Sequence, residues 1–124
     1  MLLNLTNHPS PRWQALQYQT AIREYQTIID LPFPNIPPNY KGEDITELAR
    51  SYLYKIQLLQ QKHPKLTVHL MGELSFTFSL LQMLLKEGID CVASTSERLT
   101  KEQADGTKTI KFEFVRFRKY QLLQ

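Results

Sequence analysis

Hydrophobic positions along this chain come in two rhythms, short unbroken runs and longer stretches repeating every three to four residues. Residues 2–6 (Leu-Leu-Asn-Leu-Thr) form the first short run and read as a buried strand that stops at Asn7-His8-Pro9-Ser10. Ser10 before Pro11 reads as a helix N-cap with proline at the first helical position. Ala15, Tyr18, Ile22 and Tyr25 then mark one helical face. Residues 27–31 are strand-like and break into Pro32-Phe33-Pro34-Asn35-Ile36-Pro37-Pro38, too proline-rich for a helix or an inner strand. The clearest helical stripe follows, through Ile45, Leu48, Ala49, Tyr52, Leu53, Ile56 and Leu59, opened by Asp44 and Glu47 as an acidic capping box and ended by His63-Pro64.

Residues 66–71 predict a third strand stopping at Gly72. Residues 75–87 predict a helix apolar on nearly every side, closed by Gly88, to be packed on a sheet and against a partner subunit. Residues 89–93 predict a fourth strand. From Thr95 the chain turns polar and reads as a loop, then turns at Asp105-Gly106 and returns as a strand over residues 109–117, a hairpin signal. The order β-α-β-α-β-α-β with a terminal hairpin predicts an α/β fold of Rossmann-like type. It is a mostly parallel sheet with helices on both faces and an antiparallel C-terminal hairpin, one domain over residues 1–124.

Composition narrows the class. A chain of 124 residues, 42% hydrophobic and 22% charged, suits one globular domain. No run reaches the roughly 20 apolar residues of a membrane span, and residues 1–5 lack the basic start of a signal peptide. One cysteine, Cys91, excludes an internal disulfide and fits a cytoplasmic location; its apolar surroundings make it a core thiol rather than a nucleophile. A net charge of +3 suits a small anionic ligand better than duplex DNA.

In a parallel sheet, ligands meet the carboxyl ends of the strands. The unusual residues cluster there: Asn7, His8 and Ser10 after strand one, the proline loop after strand two, Gly72-Glu73 after strand three, and Ser94-Thr95-Ser96-Glu97-Arg98 after strand four. Ser10 is either a plain cap or the start of an anion-binding helix terminus. Asn7 and His8 either shape the turn or act on ligand, His8 as proton donor or phosphate contact. Gly72 lets a backbone approach a ligand closely, and Glu73 accepts bonds from a ribose or base. Ser75 and Thr77 are first-turn residues of the following helix. Ser94, Thr95, Ser96 and Arg98 form either a solvated loop or a phosphodiester clamp. Arg116 and Arg118 share one strand face and extend the basic surface or guard an edge. His8, His63 and His69 are scattered, so no metal site or other cofactor is expected.

Residues 5–10, 30–34, 71–73, 93–98 and 114–118 together resemble a small CRISPR-associated family, the stand-alone CARF-like proteins of type III systems. The resemblance implies a homodimer that binds a cyclic oligoadenylate, most often the four-adenylate ring, across its two-fold axis. It further implies a ring nuclease that ends antiviral signalling by opening the ring. The loops implied as binding elements match residues 7–10 and 72–77; Glu73 departs from the lysine or second glycine expected there. Under this reading a ribose 2′-hydroxyl attacks its neighbouring phosphate without metal, Arg98 stabilises the developing charge, His8 protonates the leaving oxygen, and Ser10 and Ser94 hold phosphate oxygens. The alternatives are a non-catalytic module that senses or sequesters the nucleotide, and an interaction protein using the helix at residues 76–85.

Overall fold

The computed structural model describes residues 1–123. Five strands form one sheet: β1 (Leu2–Leu5), β2 (Ile28–Asp30), β3 (Thr67–Leu70), β4 (Asp90–Glu102) and β5 (Lys108–Lys119). Three helices connect the first four: α1 (Ala15–Tyr25), α2 (Gly42–Lys62) and α3 (Leu74–Lys86). The strand order is β2-β1-β3-β4-β5, parallel through β4, with β5 antiparallel to it. The expected mixed α/β architecture with a parallel core and a terminal hairpin is therefore present. Among the described residues no helix is long and apolar enough to cross a membrane.

Strand alternation divides the core in two. Leu3, Leu5, Val68, Leu70 and Cys91 point to one face and pack beneath Ile56 of α2 and Phe76, Leu80 and Leu84 of α3. Leu2 and Val92 point the other way and meet Ala21 of α1, flanked by Trp13, Tyr25 and Phe117. Each fully buried leucine or phenylalanine contributes roughly 1.5–3 kcal/mol of transfer free energy. Because the chain leaves β1 toward β2 and later crosses back to β3, α1 covers one face while α2 and α3 cover the other. The connections after β1 and β3 thus diverge, and a crevice opens between the carboxyl ends of those two strands.

Helix ends differ in detail from expectation. Ser10 does not cap α1: Ser10–Arg12 is a single 3-10 turn entered from Pro9, and α1 begins at Ala15 after Gln14. Asp44 sits in the first turn of α2, where its Oδ2 accepts the Lys41 N–H at 2.9 Å, so the acid that completes the cap lies three residues inside the helix. Gly88 has a φ of +75°, the left-handed conformation that ends α3.

The largest correction concerns residues 94–98. They are not a loop: β4 continues through them to Glu102, paired with β5 from Val92 onward. Beyond Val92 this pairing has no third strand among the described residues, since β3 matches β4 only over Asp90–Val92. Residues 94–102 therefore form a two-stranded ribbon reaching about 30 Å past the sheet. Its register slips once, from Thr95↔Arg116 to Ser96↔Phe114, leaving Val115 as an extra residue in β5. The slip reverses the alternation, so that Phe117 lies on the same side as Phe112 and Phe114; the Phe114 and Phe117 rings stand 5.0 Å apart.

Candidate functional site

A cleft of about 550 Å³ lies at the carboxyl ends of β1, β3 and β4, on the α1 face. Its floor is built by β1 and β3, one wall by the turn and helix start after β1, and the other by Ser94, Ser96, Phe112 and Phe114 of the ribbon. This is the crevice that the strand order requires.

The floor is a polar network inside an otherwise apolar sheet. Asn4 of β1 is buried, and its Nδ2 donates to Asp30 Oδ1 at 2.8 Å and to the His8 carbonyl at 2.9 Å. Asn4 Oδ1 lies 3.0 Å from Thr6 Oγ1 and 3.0 Å from His69 Nδ1. Asp30 also accepts the Ser10 N–H at 2.9 Å and the Ser10 hydroxyl at 2.6 Å. Partial burial raises the Asp30 pKa, but the bonds from the Ser10 side chain, Asn4 and the Ser10 backbone outweigh it and hold the carboxyl below its ordinary value.

His69 forms an aromatic cluster with Trp13 and Phe117, its ring 5.5 Å from the Trp13 ring and 5.3 Å from that of Phe117, near-perpendicular to both. Burial, with the nearby His8 adding to it, pulls the His69 pKa down from 6.5 to about 4. Its Nε2 is buried and has no hydrogen-bond partner among the described residues.

The loop after β1 is fixed through its backbone. The His8 carbonyl accepts from Asn4, from Trp13 Nε1 at 2.9 Å and from Thr6 Oγ1 at 3.2 Å, and the His8 N–H donates to Thr6 Oγ1. The His8 side chain remains exposed on the cleft wall. Gln14 ties this wall to the other: its Nε2 donates to the Phe112 carbonyl at 2.6 Å and its Oε1 accepts the Phe114 N–H at 2.9 Å.

Of the residues singled out in the sequence, Asn7, His8, Gly72, Ser94 and Ser96 line the cleft. Ser10 does not; it is buried with both its donors turned to Asp30. Glu73 caps α3, accepting from the Ser75 hydroxyl and from the Ser75 and Phe76 N–H groups. The Ser75 hydroxyl and these backbone bonds hold its carboxyl below the ordinary value, so the positive end of α3 already carries an anion of its own. Gly72 makes room for protein: a Cβ there would collide with the Phe33 ring from the proline loop. Thr77 is buried in α3, its hydroxyl unpartnered among the described residues.

Thr95 Oγ1 lies 3.2 Å from the Arg116 carbonyl, and both residues fall on the sheet face opposite the cleft. Arg98 pairs with Phe112 two positions beyond Ser96 and lies outside the cleft lining. The guanidinium on the cleft wall is that of Arg12, joined by Trp13, Gln14 and Gln17. Sequence reasoning passed over all four, and also Asn4 and His69. The available signal was two polar side chains inside strands that are otherwise buried, which require one another as partners.

Among the described residues no group of three or more His, Cys, Asp or Glu side chains is placed to hold a metal ion. Burial and the neighbouring Asp90 push the Cys91 thiol up to about 12, the state of an inert core thiol.

A sequence model of the Uncharacterized protein MJ1673 family matches residues 1–118. No curated protein and no solved structure matches the chain. With nearly its whole length covered, the chain belongs to that family.

Proposed function

We propose that this member of the family is a Rossmann-like, CARF-like domain that binds a nucleotide phosphodiester in the β1/β3 crevice. The proposed ligand is a cyclic oligoadenylate shared by two copies related by a two-fold axis. One observation carries the binding reading: Arg12, His8, Gln14, Gln17 and the Trp13 ring converge on a cleft of about 550 Å³ at the strand carboxyl ends. That volume lies in the range of small-ligand sites. An aromatic ring with the Gln17 amide and a guanidinium beside it supplies stacking, base-edge and phosphate contacts together, while the Gln14 amide is held by the β5 backbone. A four-nucleotide ring exceeds one such cleft, and a symmetric pair divides it.

Cleavage follows from the same ligand pose. A ribose 2′-hydroxyl gives its proton to solvent water as its oxygen attacks the adjacent phosphorus; the P–O5′ bond breaks, giving a 2′,3′-cyclic phosphate and a 5′-hydroxyl. In this scheme Arg12 neutralises the phosphorane and the exposed His8 imidazole protonates the departing 5′-oxygen. Arg98 enters only if the ring or the second copy extends along the ribbon.

The non-catalytic reading is favoured by a specific observation: of His8, Ser10 and Arg98, only His8 lines the cleft. Incubation with cyclic tetra-adenylate in EDTA, followed by chromatography, separates the readings. Linear products with cyclic phosphate ends support the nuclease. A raised melting temperature with intact ring supports the binding module. Neither a thermal shift nor cleavage at millimolar ring overturns both.

A further inference from the structure

The polar network on the cleft floor has a direction, and the direction can be followed atom by atom. Asp30 is an ionised carboxylate and only accepts. The Asn4 atom 2.8 Å from it is therefore the amide nitrogen, which also serves the His8 carbonyl. Reversing the Asn4 amide would set its oxygen against both of those acceptors. Asn4 Oδ1 consequently faces His69, and the His69 nitrogen 3.0 Å away must be the donor. With the proton on Nδ1, a neutral imidazole carries a bare lone pair on Nε2.

That lone pair has no partner among the described residues, and His69 is only 2% exposed. A buried acceptor without a donor is rare in folded proteins. Here the side chain that bears it forms part of the cleft floor. The imidazole stays neutral because burial and His8 disfavour its charged form, and Trp13 and Phe117, themselves in contact at 6.1 Å, pack against the ring together.

We infer that His69 Nε2 is the acceptor by which the cleft reads a ligand N–H, and that the ligand edge presented to it is the exocyclic amine of an adenine-type base. Asn4 and Asp30 are positioning residues: they touch His69 directly or through one bond, and they select the tautomer that leaves Nε2 free. The inference rests on the nucleotide reading for its ligand class and on the protein alone for the state of the imidazole. A base whose edge lacks a donor leaves Nε2 unpaired, which is the arrangement that gives polar sites their discrimination.

The test uses the full chain with histidine labelled in its ring nitrogens, and two probes: adenosine, and purine riboside, which lacks the amine. In the free protein the His69 Nε2 resonance is expected in the range of an unprotonated ring nitrogen and Nδ1 in that of a protonated one. Adenosine should move Nε2 toward the hydrogen-bonded range and bind about tenfold tighter than purine riboside. His69→Asn, whose amide can still donate to Asn4 while nothing replaces Nε2, should bring the two probes to equal affinity. If that variant fails to fold, the wild-type spectra decide.

A protonated Nε2 in the free protein overturns the inference. A thermal shift with adenosine but an unmoved Nε2 overturns it while leaving nucleotide binding intact. No binding and no displacement by adenosine at millimolar concentration overturns the inference; loss of nucleotide binding as a whole is judged separately, by the cyclic tetra-adenylate experiment.

Discussion

Asn4 and His69, 65 residues apart in the chain, meet through a 3.0 Å hydrogen bond between neighbouring strands beneath the cleft. Among the described residues Asn4 joins His69 to Asp30, so its loss leaves the buried His69 donor without a partner and takes one bond from the Asp30 carboxylate. Asn4→Ala should lower unfolding free energy by about 2–4 kcal/mol, combining a lost carboxylate bond with an orphaned imidazole donor. Urea unfolding with an unchanged m-value checks it. Asn4→Asp should be no milder, since it sets a second carboxylate against Asp30.

Acid should destabilise the protein through His69. Its folded pKa of about 4 lies below the ordinary 6.5, so the unfolded chain binds the proton first. The stability contributed by the neutral ring is complete above pH 6.5 and is lost as pH falls from there toward 4, up to ~3 kcal/mol in all. Asp30, also depressed, adds a loss that begins lower, as pH drops below the ordinary carboxylate value. Denaturant midpoints between pH 8 and 4 should fall accordingly, and His69→Asn should flatten the upper part of that curve.

The two walls of the cleft depend on Gln14. Its amide bonds the backbone of β5 at Phe112 and Phe114, about a hundred residues away, where no strand of the described residues pairs with that edge. Gln14→Ala should cost about 1–2 kcal/mol. The Phe114 amide should exchange with solvent faster in the variant, while amides of β1 and β3 keep their protection. Gln14→Glu should keep the bond from the Phe114 N–H yet still be destabilising, since a carboxylate oxygen would face the Phe112 carbonyl.

Gly72 is filled from outside by Phe33, whose ring also stands edge-on to Phe76 at 5.2 Å. Gly72→Ala should therefore displace the proline loop and cost about 1–3 kcal/mol. Combined with Phe33→Leu, the penalty should shrink by at least 0.5 kcal/mol, a coupling that a double-mutant cycle reads directly.

What the sequence disclosed followed from burial patterns that are local. The stripe from Ile45 to Leu59 and the run from Leu66 to Leu70 each declare themselves within a few turns or pleats, and the Asp105-Gly106 turn announces its hairpin. Ser94–Arg98 did not, because its strand conformation is stabilised by a partner that arrives only after that turn; polar side chains on a ribbon open to water carry no burial signal. The register slip at Val115 was visible as the spacing Phe112, Phe114, Phe117, two then three, and went unread. The clefts' floor was hidden for another reason. Asn4 sat inside a leucine run and His69 inside a strand, and each looks like an exception until the fold sets β1 beside β3.

Ligand contacts were expected at three places that the fold uses otherwise, phosphate at Ser10 and Arg98 and a ribose or base at Glu73. Ser10 serves Asp30, Glu73 serves its own helix, and Arg98 stands out along the ribbon. The cation at the cleft, Arg12, lies in a turn whose 3-10 geometry follows from Pro9 and Pro11 and places it on the wall.

The two jaws of the cleft are made of unequal material. One belongs to the sheet, where β1 is held on both sides by neighbouring strands; the other belongs to the ribbon, which beyond Val92 has no third strand among the described residues and is tied to the opposite wall by Gln14. A lone pair of strands is marginal in water, so the ribbon should open at a small fraction of the cost of unfolding the sheet. A guest of this cleft would meet a fixed anvil and a hinged tongue, and grip would come from closing the tongue rather than from reshaping the anvil.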